Sequence, residues 1–345
     1  MAALCHNRAM SKKLLIRSIY GFILLCCIIA AAGIGTLLES KQFVFEKFIS
    51  SENTVAEVRT EPFPVGVDPK KQTIAEEDLL QNYSYETFAY VNREPTTWRE
   101  KVLALFESKE WYQSLASPVS RILVIWPGER KEEVAKDFGD ILRWDSAQRK
   151  LFLDTISKAE PPIPEGKFYP GKYVTHRDST PEEVAQLVQE KFAADILSRY
   201  TTEVEDKVPL EEALTVASLL EREASDFENM REISGVIWNR LFTNMPLQLD
   251  ATLQYVKGSK AGQKEWWPIP KPADKYLKSP FNTYANKGLP PTPIGSPSAA
   301  AVLAALNPLP TECVFYFHDK NHKYHCSNTY EEHVAKLRAI YGRGK

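Results

Sequence analysis

The chain has 345 residues and a formal net charge of −2, and charged residues make up 26% of it. This length accommodates one large domain or two modest ones with real hydrophobic cores. No strongly basic field is present, so nucleic acid is not an expected partner. The composition predicts a globular body.

An uncharged apolar segment runs from Ser18 to Leu38, near the N-terminus. At about 1.5 Å per residue it is roughly 31 Å long, enough to cross the hydrocarbon core of a bilayer. Four cations and no acid precede it, so the positive-inside rule predicts that residues 1–17 are cytoplasmic and that the body is extracytoplasmic (periplasmic). The alternative is a cleaved signal peptide, with Ala30–Ala32 as a weak cleavage site. Because the run exceeds a usual signal-peptide core, we expect one uncleaved transmembrane helix, 18–38, in the cell (inner) membrane.

The region 39–200 follows as an N-terminal extracytoplasmic region. A short buried strand is predicted over 122–126, ending in a Pro-Gly turn. Helical patterns follow over 132–142 and 146–157, and a rigid, proline-punctuated link with aromatic residues covers 161–173. The next helix is predicted from Thr180 to about residue 198, because "TPEE" is a capping box with proline at the first helical position.

Signals for secondary structure are clearer in the region 205–345. A helix is predicted from Pro209 to about Ser225, and a second one over 229–242 has apolar residues at helical spacing. Near the end of that second helix, Asn239 and Arg240 are expected to form a buried polar brace. A long turn-rich stretch then covers 245–297.

The last 50 residues contain three further predicted elements. Ser296 and Pro297 are expected to open a short alanine-rich helix, and "CVFYFHDKNHKYHC" is predicted to form a hairpin. Thr329 and Glu332 form the capping box of a final helix. Its inward-facing residues are expected to be Val334, Leu337 and Ile340. Helices and short strands in this irregular order predict an α+β fold class.

Two glutamates end the first helix of the C-terminal region, in "SLLEREAS". On a helical wheel Glu223 lies about 60° from Leu220, the centre of the buried stripe, whereas Glu221 lies about 100° away on the other side. Desolvation raises a carboxyl pKa toward the range useful for acid–base chemistry, so Glu223 is the better candidate. The two side chains are roughly 160° apart and cannot flank one scissile bond. The alternative is that both lie on a solvated helix edge and pair with an arginine, and we expect Glu221 to be such an edge group.

Five ordered motifs resemble the endolytic murein transglycosylase family. They are "LTVASLLEREAS", "VIWNRL", "MPLQLDATLQY", "FNTYANKGLPPTPIGSPS" and "SNTYEEH". Members of this family are membrane-anchored enzymes that cut peptidoglycan glycan strands within the chain. The resemblance is strong from about Leu210 onward, weaker across "WPGER" and "PEGKFYPGKY", and faint before residue 115, where the family carries a LysM-like subdomain. It implies a degenerate LysM-like part plus linker helices in 39–200 and a catalytic transglycosylase domain over 205–345.

The resemblance makes Glu223 the catalytic residue and places polar residues of two later motifs along the glycan cleft. The substrate-binding residues that it implies are Gln248, Asp250, Thr252, Asn282, Thr283 and Tyr284. The alternative for each is a structural role, since Asn and Asp are common in turns. This chain departs from the family at Ala251, where the family has proline. It departs again where Tyr324 precedes Cys326, since the family has a histidine two residues before a phenylalanine.

The activity implied by the resemblance is that of a lyase. Glu223 protonates the glycosidic oxygen that leaves C1 of N-acetylmuramic acid, and the same carboxylate then takes the proton of the C6 hydroxyl as that oxygen closes on C1. The link to N-acetylglucosamine is thereby cut, a 1,6-anhydromuramyl end forms, and elongation of nascent strands ends. Expected partners are glycan strands, the membrane and cell-wall synthases, and no cofactor or metal is implied. The rival hypothesis is a catalytically inactive, membrane-anchored peptidoglycan-binding or scaffold protein.

Cysteines and histidines of the hairpin suggest two further hypotheses. Cys313 and Cys326 can pair under oxidising conditions. Folding the hairpin about residues 319–322 leaves them two positions out of register, so their pairing stays open. His322 and His325 have a spacing compatible with zinc, but strand alternation points His325 and Cys326 to opposite faces. A surface hairpin is the better explanation.

Overall fold

The structure, a computed structural model, describes residues 61–76, 79–80, 119–260 and 262–342, together with Tyr20. The predicted transmembrane helix, 18–38, lies outside the described residues apart from Tyr20. In the part of the chain that is described, no helix is long and apolar enough to cross a bilayer. The chain divides into two compact units, Met1–Glu57 and Val58–Lys345, and the elements given below belong to the second.

Short strands and α-helices alternate irregularly along this unit. The strands are β1 (Val67–Asp68), β2 (Thr73–Ile74), β3 (Ser120–Ile125), β4 (Gly171–His176), β5 (Phe315–His318) and β6 (Tyr324–Ser327). The helices are α1 (Lys131–Leu142), α2 (Ser146–Lys158), α3 (Pro181–Asp195), α4 (Thr202–Lys207), α5 (Leu210–Glu223), α6 (Phe227–Phe242), α7 (Asp250–Gly258), α8 (Ala299–Leu306) and α9 (Tyr330–Tyr341). Among the residues that the structure describes, consecutive strands pair in three antiparallel two-stranded sheets. The predicted α+β class is confirmed.

One hydrophobic core lies between the β3–β4 sheet and helices α1, α2 and α3. Alternate residues of β3, among them Leu123 and Ile125, are fully buried, as expected for a strand with one face on a core. Phe138 of α1 and Phe152 of α2 pack with ring centroids 5.5 Å apart. The predicted strand and the three predicted helices are confirmed. Strand β4 was not predicted, and it begins within the last residues of the proline-punctuated link.

A larger core surrounds α5, which is buried through most of its length. It packs against α6 and α8. Helix α8 is apolar on every side, which is typical of a helix enclosed by its neighbours, and Trp238 of α6 donates its indole N–H to the carbonyl of Ala305 at 2.8 Å. The predicted helices at α5, α6 and α8 are confirmed. The N-cap of α8 is Ser298, two residues later than expected, since its hydroxyl accepts the N–H of Ala301.

The Pro-Gly turn after β3 packs against the loop that precedes α8. Gly128 donates its N–H to the carbonyl of Ser296 at 2.8 Å, and Ser296 donates its own to the carbonyl of Glu129 at 2.7 Å. Gly128 has φ +80°, and a Cβ at Gly295 would lie 2.8 Å from the carbonyl oxygen of Gly128, so both positions favour glycine. These contacts fix the turn beside the C-terminal end of α5.

The β5–β6 hairpin is joined to the helical core by side chains of α6. The predicted polar brace is confirmed, because the Asn239 amide donates to the carbonyls of Thr311 and Cys313 at 2.7 and 3.1 Å. Arg240 likewise donates to the carbonyl of Val314 at 2.6 Å. These bonds hold the entry to β5 against α6.

A disulfide joins Cys313 and Cys326, whose Cα atoms are 5.7 Å apart. In the β5–β6 ladder Cys326 is opposite Tyr316. Cys313 precedes β5, outside the ladder, and is therefore not bound by strand register, which is why counting across the hairpin left the pairing open.

The final helix, α9, packs less deeply than its pattern predicted. The capping box is confirmed, since the Thr329 hydroxyl accepts the N–H of Glu332 at 3.2 Å. Val334 and Leu337 are half-buried. Ile340, expected to face inward, is 41% exposed, and the contacts that place α9 are with the strands of the thin hairpin.

Candidate active site

Glu223 is the last residue of α5, and its carboxyl lies between α7 and β5. Tyr316 of β5 donates its hydroxyl to Oε2 of Glu223 at 3.0 Å. The N–H of Ala251, in the first turn of α7, approaches Oε1 at 3.4 Å, which is long for such a bond. One carboxyl oxygen is therefore firmly held and the other only loosely.

Burial raises the pKa of Glu223 to about 7. The hydrogen bonds from Tyr316 and Ala251 favour the ionised form and partly offset burial, as does the charge of Arg222, whereas the charge of Asp250 adds to the increase. Such a group is present in both protonation states near neutral pH. This is what a residue that gives and regains a proton requires.

Glu221 differs from the expected solvated edge group. The N–H of Ser298, the N-cap of α8, donates to its Oε1 at 2.8 Å. Its carboxylate thus lies at the positive end of the α8 dipole, and burial raises its pKa. A wheel of α5 alone could not show this, because the burial comes from the segment entering α8. Its role here is to join α5 to α8.

Two of the predicted binding residues, Asp250 and Tyr284, lie beside Glu223. Asp250 begins α7 and is exposed, and the Tyr284 hydroxyl donates to its Oδ1 at 2.7 Å. Lys275 lies 4.8 Å from the centroid of the Tyr284 ring. Gln248 is exposed, with φ +51°, and its N–H donates to the carbonyl of Thr283 at 3.1 Å.

Three further predicted residues, Thr252, Asn282 and Thr283, are at most 2% exposed. The two threonine hydroxyls lie 2.9 Å apart. The Asn282 amide donates to the carbonyls of Lys275 and Leu277 at 3.0 and 2.8 Å, and its oxygen accepts the N–H of Tyr284 at 2.9 Å. These bonds position the loops that carry Asp250 and Tyr284. Direct contact of the three residues with a glycan stays a prediction.

Sequence reasoning missed Tyr316 as a site residue. Tyr316 lies in β5, and no local signal in the sequence shows that this strand meets the end of α5. Burial raises the pKa of Tyr316 well above its usual range, so the phenol keeps its proton and serves as a donor to Glu223.

A second group of polar and aromatic side chains adjoins the site through Arg222. The guanidinium of Arg222 lies 4.0 Å from the centroid of a Trp267 ring, and the Trp267 indole donates to Glu133 at 3.3 Å. Burial raises the pKa of Glu133, and that of Glu129 to about 8. The turn after β3 and the loop after α7 thus meet next to the end of α5.

The hairpin histidines have protein partners. His325 Nε2 lies 2.9 Å from Asp319 Oδ2, and His318 Nε2 lies 2.9 Å from Asn229 Oδ1. Among the described residues, no cluster of three or more His, Cys, Asp or Glu side chains is arranged to hold a metal ion.

Comparison with known proteins finds relatives that share the region of the site. The model of the YceG-like family matches residues 93–339, a range that includes Glu223 and the predicted binding residues. An endolytic murein transglycosylase of Streptococcus pneumoniae serotype 2 (strain D39 / NCTC 7466) is 34% identical over 173 residues, and one of Bacillus subtilis (strain 168) is 31% identical over 192 residues. These matches cover 49% and 54% of this chain, and 31% and 51% of the two proteins. The chain therefore spans about a third to a half of the length of the curated relatives it matches.

A solved structure is also similar to this chain. The crystal structure of a putative yceG-like protein from Listeria monocytogenes matches with a TM-score of 0.54 and 27% sequence identity. The match covers 62% of this chain and 75% of that protein.

Proposed function

The chain belongs to the YceG-like family, and on that premise we propose that it is an endolytic lytic transglycosylase, a lyase of peptidoglycan. It cleaves glycan strands between N-acetylmuramic acid and N-acetylglucosamine and leaves 1,6-anhydromuramyl ends. The observation that carries the proposal is the carboxyl of Glu223, whose pKa burial raises to about 7 and which lies beside Asp250 and Tyr316. The names of the curated relatives support the substrate class.

The proposed reaction uses one carboxyl twice. Protonated Glu223 donates to the glycosidic oxygen as the bond from C1 to that oxygen breaks. The resulting carboxylate then removes the proton of the C6 hydroxyl as O6 bonds to C1. Positive charge that develops on the sugar in an oxocarbenium-like transition state is favoured by the negative charge of nearby Asp250. The carboxyl ends as it began, and no water is consumed.

The test is digestion of purified sacculi by the protein, followed by mass analysis of the soluble products. Anhydromuropeptides are expected from the parent chain and not from Glu223→Gln. Reducing ends would mean that water attacks C1 and would contradict the lytic mechanism. An intact chain that binds sacculi and releases nothing would favour the alternative, an inactive peptidoglycan-binding or scaffold protein.

We also propose that the protein is anchored by one uncleaved helix over 18–38, with its catalytic body on the extracytoplasmic side. The support is the uncharged run and the four cations before it. Reporter fusions placed after residue 60 should be active outside the cytoplasm, and activity restricted to the cytoplasm would contradict the topology.

An anchored enzyme of this kind is proposed to act beside cell-wall synthases and to end the elongation of nascent strands. Support comes from the proposed anchor and the family. Cross-linking in growing cells should recover a synthase. Recovery of none would count against the partnership while leaving the proposed reaction intact.

A further inference from the structure

We propose that Tyr316 is a positioning residue that fixes the proton of Glu223 on Oε1, so that Oε1 is the atom that delivers the proton and later recovers it. The inference deepens the proposed function and rests on it. It concerns which of two chemically equivalent oxygens acts, and why the other does not.

The two carboxyl oxygens of Glu223 have unequal partners. Oε2 accepts from the Tyr316 hydroxyl at 3.0 Å, and among the described residues this hydroxyl makes no second hydrogen bond to an acceptor. In the same described part of the chain, Oε1 has one hydrogen-bond partner, the N–H of Ala251 at 3.4 Å. A phenol that donates to Oε2 makes it the carbonyl oxygen of the protonated acid. The proton is left on Oε1, which is free to turn it toward a substrate.

The hairpin holds Tyr316 in this place. Its ring stacks on Tyr324, with centroids 6.0 Å apart and planes at 28°. Across the ladder it is opposite Cys326, which the disulfide joins to Cys313. Arg240 of α6 binds the carbonyl of Val314, so the strand is fixed both to its neighbour and to the helical core. A positioning residue needs such support, because a loosely held donor leaves both carboxyl oxygens available.

Charged and titratable groups face Glu223 from every element that packs against it. Arg222 comes from α5, Asp250 from α7 and Arg240 from α6, and Tyr284 lies on the loop beyond α7. Of these, Asp250 raises the pKa of Glu223 and Arg222 lowers it. The Tyr316 bond favours the ionised form, so its removal should raise the pKa further.

The proton balance follows from this placement. In the first step the O–H bond at Oε1 breaks, the proton goes to the glycosidic oxygen, and the electron pair of the C1–O bond goes with that oxygen. In the second step the C6 hydroxyl gives its proton to Oε1 as O6 bonds to C1. Tyr316 keeps its own proton throughout, and Oε2 carries the hydrogen bond in both states of the carboxyl.

The experiment compares Tyr316→Phe with Tyr324→Phe in the full chain. Tyr324→Phe is the matched control, because it removes a hydroxyl from the ring stacked on Tyr316 without touching Glu223. Infrared difference spectra across a pH titration, with Glu223→Gln as the blank, report both the pKa of Glu223 and the C=O stretch of its protonated form. Release of anhydromuropeptides from sacculi is measured over the same pH range.

In Tyr316→Phe the pKa of Glu223 should rise by about one pH unit. The high-pH limb of the rate profile should shift to higher pH by a similar amount. The C=O stretch should move to higher frequency, because the carbonyl oxygen loses its donor. At neutral pH kcat should fall about tenfold or more with KM nearly unchanged, since the substrate contacts remain. Tyr324→Phe should leave the pKa of Glu223, the C=O stretch and the high-pH limb unchanged within error, and kcat and KM within about twofold.

An unchanged C=O stretch in Tyr316→Phe would overturn the proposal, because it would mean that Oε2 carries the proton. Equal effects in both variants would also overturn it and would leave only a packing role for the hairpin. If the parent chain releases no anhydromuropeptides, the proposed function fails instead. The infrared titration needs no substrate and separates these two failures.

Discussion

Replacing Glu223 by glutamine is expected to stop glycan cleavage while leaving the protein folded. The amide keeps an oxygen that can accept from Tyr316, but it has no proton to transfer. A general acid or base contributes typically about 10²–10⁴ in rate, and Glu223 performs both tasks, so a loss of about 10⁴ or more is expected. By the conversion of about 1.36 kcal/mol for each factor of ten, this loss corresponds to about 5.4 kcal/mol or more of transition-state stabilisation.

The same substitution should stabilise the fold at alkaline pH. Burial raises the pKa of Glu223 from an ordinary 4.5 to about 7, so the folded state binds the proton more tightly than the unfolded state. Below pH 4.5 Glu223 is protonated in both the folded and the unfolded state, so the substitution does not change the free energy of unfolding through this group. As pH rises through about 7 the wild-type chain bears the full cost of ionisation, at most about 3 kcal/mol. The Glu223 carboxyl is partly open to solvent, which reduces this cost. We therefore expect Glu223→Gln to increase the free energy of unfolding at alkaline pH by about 1–2 kcal/mol, which raises Tm by a few degrees.

The assay is release of anhydromuropeptides by each variant, with thermal melts at pH 4 and pH 8. Glu221→Gln is the matched control on the same helix, since its amide oxygen can still accept the N–H of Ser298. Removing its charge also relieves the desolvation that raises the pKa of Glu221, so this variant should be no less stable than the parent at pH 8, and it should still cut. If Glu221→Gln releases no anhydromuropeptides while Glu223→Gln still does, the assignment of Glu223 as the catalytic residue is refuted.

Three further predictions concern the neighbourhood of Glu223. Asp250→Asn should lower the pKa of Glu223, because a charge that raises this pKa is removed. The high-pH limb of the activity profile should therefore shift to lower pH, and a shift to higher pH would contradict the electrostatic account. Replacing Cys313 and Cys326 together by serine should destabilise the protein by about 2–4 kcal/mol, and a melt unaffected by the replacement would show that the hairpin needs no cross-link. Gly295→Ala should cost about 1–3 kcal/mol in the free energy of unfolding, since its Cβ would lie 2.8 Å from a backbone carbonyl oxygen; denaturant unfolding at an unchanged midpoint would show that the turn after β3 adjusts freely.

The sequence predicted most of the described helices and their caps, because those signals act within about four residues. It did not predict α4 or α7, and α7 lies inside the stretch that was expected to be rich in turns. Thr180 and Thr329 cap their helices as the capping boxes predicted. The apolar pattern of α5 likewise gave the position of Glu223 on the shoulder of a buried stripe. The position of Glu223 on the helical wheel, together with the five ordered motifs, was sufficient to identify it as the candidate catalytic residue.

The tertiary structure decided what lies against that residue. Tyr316 is 93 residues from Glu223, and Ser298 is 77 residues from Glu221. Strand β4 was missed for the same reason, since its ladder partner β3 lies about 50 residues earlier. Such contacts depend on how separate elements pack, which no periodicity or cap within one segment specifies. Packing therefore decides the burial that raises the pKa of Glu223, the bond that ties Glu221 to the start of α8 and the disulfide that closes the hairpin. The sequence decides most of the helices that present these groups.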